Sequence, residues 1–406
     1  MKATKMLFWL FSVMFLVGTS CHNDEIMTKE SQEIMLDIEL DMKQRSMVKQ
    51  GNVFANTFLM HVTKKNENTL ISPFGLQAVL AMLANGANEE VYNEILSTLG
   101  MTYYTQSELN EFYRKMLTSL GEEEDPKVEL SLANSMWIQN NYIIQENYIS
   151  KMEETYEATV KNIDFKSLEA AKASIDDWAC KKTNSTIKNL NLPIEESTIM
   201  VLANVLYFSG KWQTPFSKSN TYNDNFMCED GTIQTVPFMH GLKKNVAYME
   251  TDCFQWVSLP FGNRSFSMNI LLPKKEENLE DVVSEAEWGT TSDTKYISVN
   301  IAMPRFKMEV KKELKDILQR MGITKIFGNG SLPKISDGLF VSFLQQNAYL
   351  EIEESGVEAS NVTSSGSVPT APEITYAEMN LNRPFVFAIC ENSTNAVLFM
   401  GKIANI

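Results

Sequence analysis

Along the chain, apolar residues recur first every three or four positions and later every second position, and the change of period divides the sequence. The helical spacing runs through residues 53–62, 76–83, 108–117, 148–156 and 170–183, with Ser72 and Pro73 placed as cap and first turn of the second run. Short alternating or wholly apolar runs then occupy residues 201–208, 256–259, 267–272, 297–303, 348–352, 385–389 and 396–400. Helices early and strands late predict an α+β fold with a large, mostly antiparallel sheet, not alternating βαβ units. No internal repeat appears, and no Pro/Gly/Ser linker divides the chain after residue 46, so one domain over residues 47–406 is expected.

One stretch does not fit a packed domain. From Ser355 to Tyr376 the residues are small or β-branched, with no Lys or Arg and no heavy apolar cluster. A loop of more than about 12–15 residues with no structure of its own is usually functional or disordered. Here it follows directly on the strand pattern Tyr349-Leu350-Glu351-Ile352, and its first half alternates as a strand would.

Composition removes several classes of function. With 44% hydrophobic residues, 18 Gly and 12 Pro in 406, the chain is neither disordered, collagenous nor a multi-span membrane protein. A net charge of -15 lacks the cationic footprint a nucleic-acid binder needs.

The amino terminus reads as an export signal over residues 1–20: Lys2 and Lys5, an apolar run over residues 6–17, then Gly18, Thr19 and Ser20 before Cys21. The run is too short to span a membrane, and small residues before a cysteine suit acylation of Cys21, with ordinary cleavage as the alternative. Residues 21–46 then read as the acylated cysteine and a polar tether. The expected location is a bacterial cell envelope, lipid-anchored at the outer membrane or cell surface.

Catalytic and metal motifs are absent from the sequence. Within residues 47–406 only His61 and His240 occur, and both sit where structural roles are expected. There is no HExxH, GxSxG, P-loop or GxGxxG. The acidic run 122–125 reads as a solvated loop, and Cys180, Cys228, Cys253 and Cys390, widely spaced, read as buried free thiols. No enzyme, metal or cofactor is expected, although a surface hydrolase using His61 or His240 stays open as a third-ranked reading.

Several ordered blocks together resemble the serpin family of protease inhibitors over residues 48–406. They are Asn68-Thr-Leu-Ile-Ser72-Pro73, Leu132-Ala-Asn-Ser-Met-Trp137-Ile, Asp177-Trp178 with Thr183-Asn184, Ala203-Asn204-Val-Leu-Tyr207-Phe208-Ser-Gly210-Lys211-Trp212 with Phe216, Asn382-Arg383-Pro384-Phe385-Val-Phe387, and Leu398-Phe399-Met400-Gly401-Lys402. The resemblance implies helices packed on large β-sheets with an exposed reactive-centre loop, here about residues 354–376. It implies a suicide-substrate inhibitor that is cut, forms a covalent acyl complex with a serine or cysteine protease, and inserts the cut loop into a gap in its own sheet. It also implies a monomer without a cofactor.

Carried over by position, the resemblance makes Glu354, Gly356, Val357, Glu358 and Ala359 the hinge, and one family loop length puts the scissile bond at Thr370-Ala371, another a few residues later. Asn361 departs from the pattern, because it shares the parity of Val357 and Ala359, where small apolar residues are the family's habit. Trp212, Arg305 and Glu354 correspond to the cluster at the mouth of the gap, and Ser72, Asn204 and Gln346 to the hydrogen-bond cluster where the sheet opens. The family often has His at position 346 and Ser at position 75, where this chain has Gln346 and Gly75. With no Lys or Arg in the bait, elastase-like or subtilisin-like targets are expected. The alternative is a non-inhibitory serpin-fold binding protein, cleaved as a substrate.

Overall fold

Each of the five helical patterns folds as a helix. In the computed structural model, whose described residues are 35–123, 125–275, 277–284, 286–289, 293–355 and 376–406, the chain runs α1 Met42–Val62, β1 Thr69–Ile71, α2 Pro73–Gly86, α3 Glu89–Leu99, α4 Gln106–Gly121, β2 Val128–Gln139, α5 Glu146–Tyr156, β3 Thr159–Ile163, α6 Leu168–Lys182 and β4 Met200–Gly210. It continues β5 Thr221–Met227, β6 Ile233–Glu250, β7 Phe254–Pro260, β8 Phe266–Pro273, α7 Leu279–Ser284, β9 Lys295–Pro304, β10 Phe306–Glu313, α8 Lys315–Arg320, β11 Phe343–Ile352, β12 Tyr376–Asn380, β13 Phe385–Glu391 and β14 Ala396–Ile403. Local chemistry sets the helix starts. Ser72 caps α2 by accepting from the Gly75 amide, and Thr105 and Glu108 form a capping box on α4.

Two sheets result. One runs β1-β14-β13-β8-β7-β6-β9-β12 with β5 beside β6; the other is the five-stranded β10-β11-β4-β2-β3. Most neighbours are antiparallel, as the pattern predicts, but β11/β4, β2/β3 and β12/β9 are parallel. Helix α2 lies between β14 of one sheet and β4 of the other, and is therefore apolar and buried on nearly every side. Helix α6 covers the opposite face of the five-stranded sheet, where Phe165, Ile175 and Trp178 meet Trp137, Val201, Ala203 and Val205.

Three sequence expectations need correction. The polar tether expected up to residue 46 ends earlier, because Asp41 and Gln44 form a capping box that starts α1 at Met42. Ahead of it Ile38 and Leu40 are buried, and the Leu36 and Ile38 amides donate to Ser265 and Ser393 at 2.8 and 2.9 Å. The run 122–125 is not all solvated. Asp125 is buried, accepting from the Asn263 and Lys127 amides at 2.7 and 2.9 Å, and a Cβ on Gly262 would fall 1.7 Å from its carboxylate. Of the four described thiols only Cys228 and Cys390 are buried, while Cys253 is exposed. Among the described residues no helix is long and apolar enough to cross a membrane. The signal segment and Cys21 lie outside the described residues.

Candidate functional site

The site is built around the parallel pair β4 and β11. Eight positions are in register, from Phe343 opposite Val201 to Leu350 opposite Phe208. The gap expected between them is therefore closed in this structure. Each strand is antiparallel to its other neighbour, β2 or β10. A segment that turned back after Ile352 and entered between the two would run antiparallel to both. It would replace one parallel ladder with two antiparallel ones.

The pair is closed with unusual residues. Gln345, Gln346 and Asn347 are consecutive and all buried, where a permanent sheet interior would carry β-branched residues. These polar residues also hide the strand from a hydrophobic pattern, which is why sequence reasoning began it only at Ala348.

Gln346 is the centre of the hydrogen-bond cluster expected from the resemblance. Its Oε1 accepts from the Ser72 amide at 2.8 Å, while its Nε2 donates to the Ser72 carbonyl at 2.9 Å and to Asn204 Oδ1 at 2.8 Å. Ser72 Oγ donates to the Leu398 carbonyl at 2.6 Å, and Asn204 Nδ2 donates to Asn134 Oδ1 at 2.7 Å. The cluster thus joins β11, β4, β2, β14 and the start of α2. Gly75 makes room for it, since a Cβ there would lie 2.9 Å from Asn204 Oδ1 and 2.8 Å from Leu206. A glutamine does this work because one side chain both donates and accepts. Gln346→Leu should leave the Ser72 amide and the Asn204 amide oxygen buried and unpaired, at about 1–3 kcal/mol each. Urea unfolding should show a loss of roughly that sum, and a change under 1 kcal/mol would remove the cluster from the opening point.

At the other end of β4, the gap-mouth residues come together. Trp212 is buried, stacked on Phe261 at 4.5 Å and 16°, and its Nε1 donates to the Glu353 carbonyl at 2.9 Å. It therefore holds the backbone leaving β11 and not the Glu354 carboxylate. Glu354 is buried and pairs with the half-exposed Arg305 at 3.6 Å. Burial opposes its charge, but the nearby Thr221 hydroxyl, the backbone and Arg305 outweigh it, and the carboxyl titrates below the usual glutamate value.

Sequence reasoning missed Lys243, which supports this region. Only 3% of it is exposed, yet among the described residues it pairs with no carboxylate: Nζ donates to the Thr214 carbonyl at 2.6 Å and lies 3.3 Å from the centre of the Phe216 ring, itself edge-on to Trp212. Burial lowers its pKa to about 7. The unfolded chain keeps its lysine proton up to the ordinary lysine value of 10.5, so between these values the unfolded state binds more protons and Lys243 makes stability rise with pH. The slope is at most about 1.4 kcal/mol per pH unit. Urea midpoints of wild type minus Lys243→Met from pH 6.5 to 9.5 should carry this rise; a flat difference would show an ordinary surface-like lysine.

Of the remaining sequence-predicted residues, Gly356, Val357, Glu358, Ala359, Asn361, Thr370 and Ala371 lie outside the described residues. The described chain resumes at Tyr376 on β12, parallel to β9. His61 Nδ1 donates one turn back, to the Thr57 carbonyl at 2.8 Å, and His240 stacks on Tyr222 at 4.0 Å. No group of three or more metal-ligating side chains occurs among the described residues.

A family model described as Serpin (serine protease inhibitor) matches residues 49–406. The human protein Serpin B4 is 29% identical over 368 residues, covering 84% of this chain and 94% of the relative. Human Serpin I2 is 30% identical over 352 residues, covering 84% and 86%. Among solved structures, native protease nexin-1 with heparin superposes with a TM-score of 0.80 at 26% identity, covering 89% of this chain and all of that one.

Proposed function

The chain belongs to the serpin family, and from that premise we propose that it is a protease trap, inhibiting elastase-like or subtilisin-like serine proteases by inserting its own cut loop between β4 and β11. Serpins are protease inhibitors and, in general, not catalysts. The observation that carries the reading is the parallel β4/β11 pair, closed by buried amides, with the bait segment leaving directly from the end of β11.

The target cuts Thr370-Ala371 and becomes acylated on its catalytic serine, releasing the amine of Ala371. The freed segment from Gly356 onward then enters between β4 and β11, with Val357 and Ala359 inward and Glu358 toward water. Strand addition of this kind draws its free energy from main-chain hydrogen bonds, and the starting state persists because it is held kinetically. The Glu354–Arg305 pair and the Trp212 bond to Glu353 hold the hinge out of the sheet until the cut. In this reading Cys21 carries a lipid that holds a monomeric inhibitor at a bacterial cell envelope.

Asn361 favours a second reading. Its amide, inward by parity, costs about 1–3 kcal/mol if buried without a partner, and a stalled insertion leaves a non-inhibitory binding protein. Incubation with an elastase-like serine protease and a denaturing gel separates the two. A covalent band near the summed masses supports the trap. A nick near residue 370 with full release of active protease would overturn it.

A further inference from the structure

Lys243 stands where the register between β6 and β9 shifts, after its own pairing with Val299 and before that of Val246 with Ile297, and Asn245 in between has a φ of +53°. A bulge re-aims side chains, and here it sends the amine under the segment that leads into β5. That segment is thinly held. Residues 211 and 213 are fixed through their backbone, the Gly262 amide donating to the Lys211 carbonyl at 2.8 Å and the Gln213 amide to the Pro260 carbonyl at 2.9 Å. From Thr214 to Phe216, among the described residues, the bond from Lys243 to the Thr214 carbonyl is the tie to the sheet. Thr214 and Pro215 are exposed, so a small displacement of this segment lets water reach the amine.

Phe216 carries the connection onward. Its ring lies against Lys243 Nζ, against the backbone of Gly241, where a Cβ would come within 3.3 Å, and edge-on to Trp212, with centroids 5.9 Å apart at 80°. Trp212 Nε1 in turn donates to the Glu353 carbonyl, one residue past β11. We propose that Lys243 is a positioning residue of the trap: its amine ties residues 214–216 to the sheet and thereby, through Phe216, sets how firmly Trp212 holds the hinge, and each release of the segment takes up a proton. This rests on the proposed trap reading and adds a proton-linked control to it.

The proton follows from solvation. Under the segment the amine is desolvated and loses its proton above about 7, whereas in water it returns to the ordinary lysine value of 10.5. Between these values the lifted form binds more protons, so it loses up to about tenfold in population for each unit of rising pH. Below pH 7 both forms are protonated and the dependence ends. The ionisable groups nearby are His240 and the exposed Lys244 on β6, Tyr222 and Asp224 on β5, and the exposed Lys211 and Lys218 before it; Val299 opposite is flanked by Ser298 and Asn300, and Glu354 pairs with Arg305 at the hinge. Burial, and none of these charges, is what lowers Lys243, and burial also lowers His240 below the usual histidine value, so the histidine is neutral throughout the range.

The test reads the Trp212 bond in the full chain without a protease. Tryptophan is labelled with nitrogen-15, and the Trp212 indole signal is the one that Trp212→Phe removes. Indole exchange is catalysed by hydroxide, so in wild type from about pH 7.5 to 9.5 the falling population of the lifted form cancels the rise in hydroxide, and the exchange rate stays level within about threefold. In Lys243→Met it should climb about a hundredfold over the same range. Phe216→Leu, which cuts the path from amine to indole, should climb likewise and carries the test if the first variant does not fold. A level rate in either variant, or a climbing rate in wild type, overturns the proposal. A change shared by the buried indole of Trp256 on β7 would mark global unfolding and overturn it too. His240→Gln should keep the level rate; a climb there assigns the proton to the histidine and equally overturns it. With an elastase-like protease, covalent complex formed by wild type relative to Lys243→Met should fall severalfold over the same range, and a constant ratio overturns the role in trapping. If the indole behaves as expected while no covalent complex forms at any pH, the control of the hinge stands and the trap reading falls.

Discussion

Cut near Thr370, the protein should unfold at a temperature some 20 °C or more above that of the intact chain. Insertion gives up the parallel β4/β11 ladder and gains two antiparallel ones, a net gain of about a dozen backbone bonds at roughly 1 kcal/mol each. For a domain of this size, each kcal/mol moves the midpoint by about 2 °C. The polar residues at the pair sharpen the contrast, since Asn347 Nδ2 is buried without a hydrogen-bond partner while the sheet is closed. Calorimetry before and after limited proteolysis at the bait is the measurement. An unchanged midpoint would mean that no strand had entered.

Val357→Arg should abolish trapping while leaving cleavage intact. In the inserted strand, Val357 has to pass under the α6 face or α2 face of the five-stranded sheet, both lined by apolar side chains. A guanidinium there has no acidic partner and pays the cost of an unpaired buried charge. Insertion then loses its race with deacylation, so the enzyme is released. The covalent fraction should fall from most of the reacted inhibitor to under about a tenth, with the rate of bait cleavage unchanged within about twofold. Stoichiometric inhibition by this variant would contradict the mechanism, whatever the gel shows for wild type.

Most helices were legible because one face recurs as apolar at helical spacing, and the C-terminal strands because they are short apolar runs buried on both faces. Residues 148–156 keep the helical spacing, and residues 385–389 are apolar and buried throughout. What was hard to read is where polar groups are buried for a reason that no local pattern carries. The first half of β11 looks like a loop until Gln346 is seen bonded to residues 142 and 274 positions away in sequence. Asp125 looks solvated until the Gly262–Asn263 turn closes over it. Lys243 carries no signal at all, because its partners are a carbonyl and a ring face supplied by another segment. The blocks shared with serpins include positions, such as Trp212 and Asn204, whose contacts are long-range.

Strand β14 is buried at every position, between β13 and β1. It supplies the carbonyl that Ser72 holds, at a sequence distance of 326 residues. The five-stranded sheet, by contrast, is complete in sequence by residue 352. During synthesis the apolar α2 therefore waits, one side unsatisfied, until residues 396–403 have been made. Contacts spanning so much chain form slowly and leave aggregation-prone surface open meanwhile. A newly made molecule is thus most open to aggregation in that interval, and slowing translation downstream of residue 352 should lower its soluble yield.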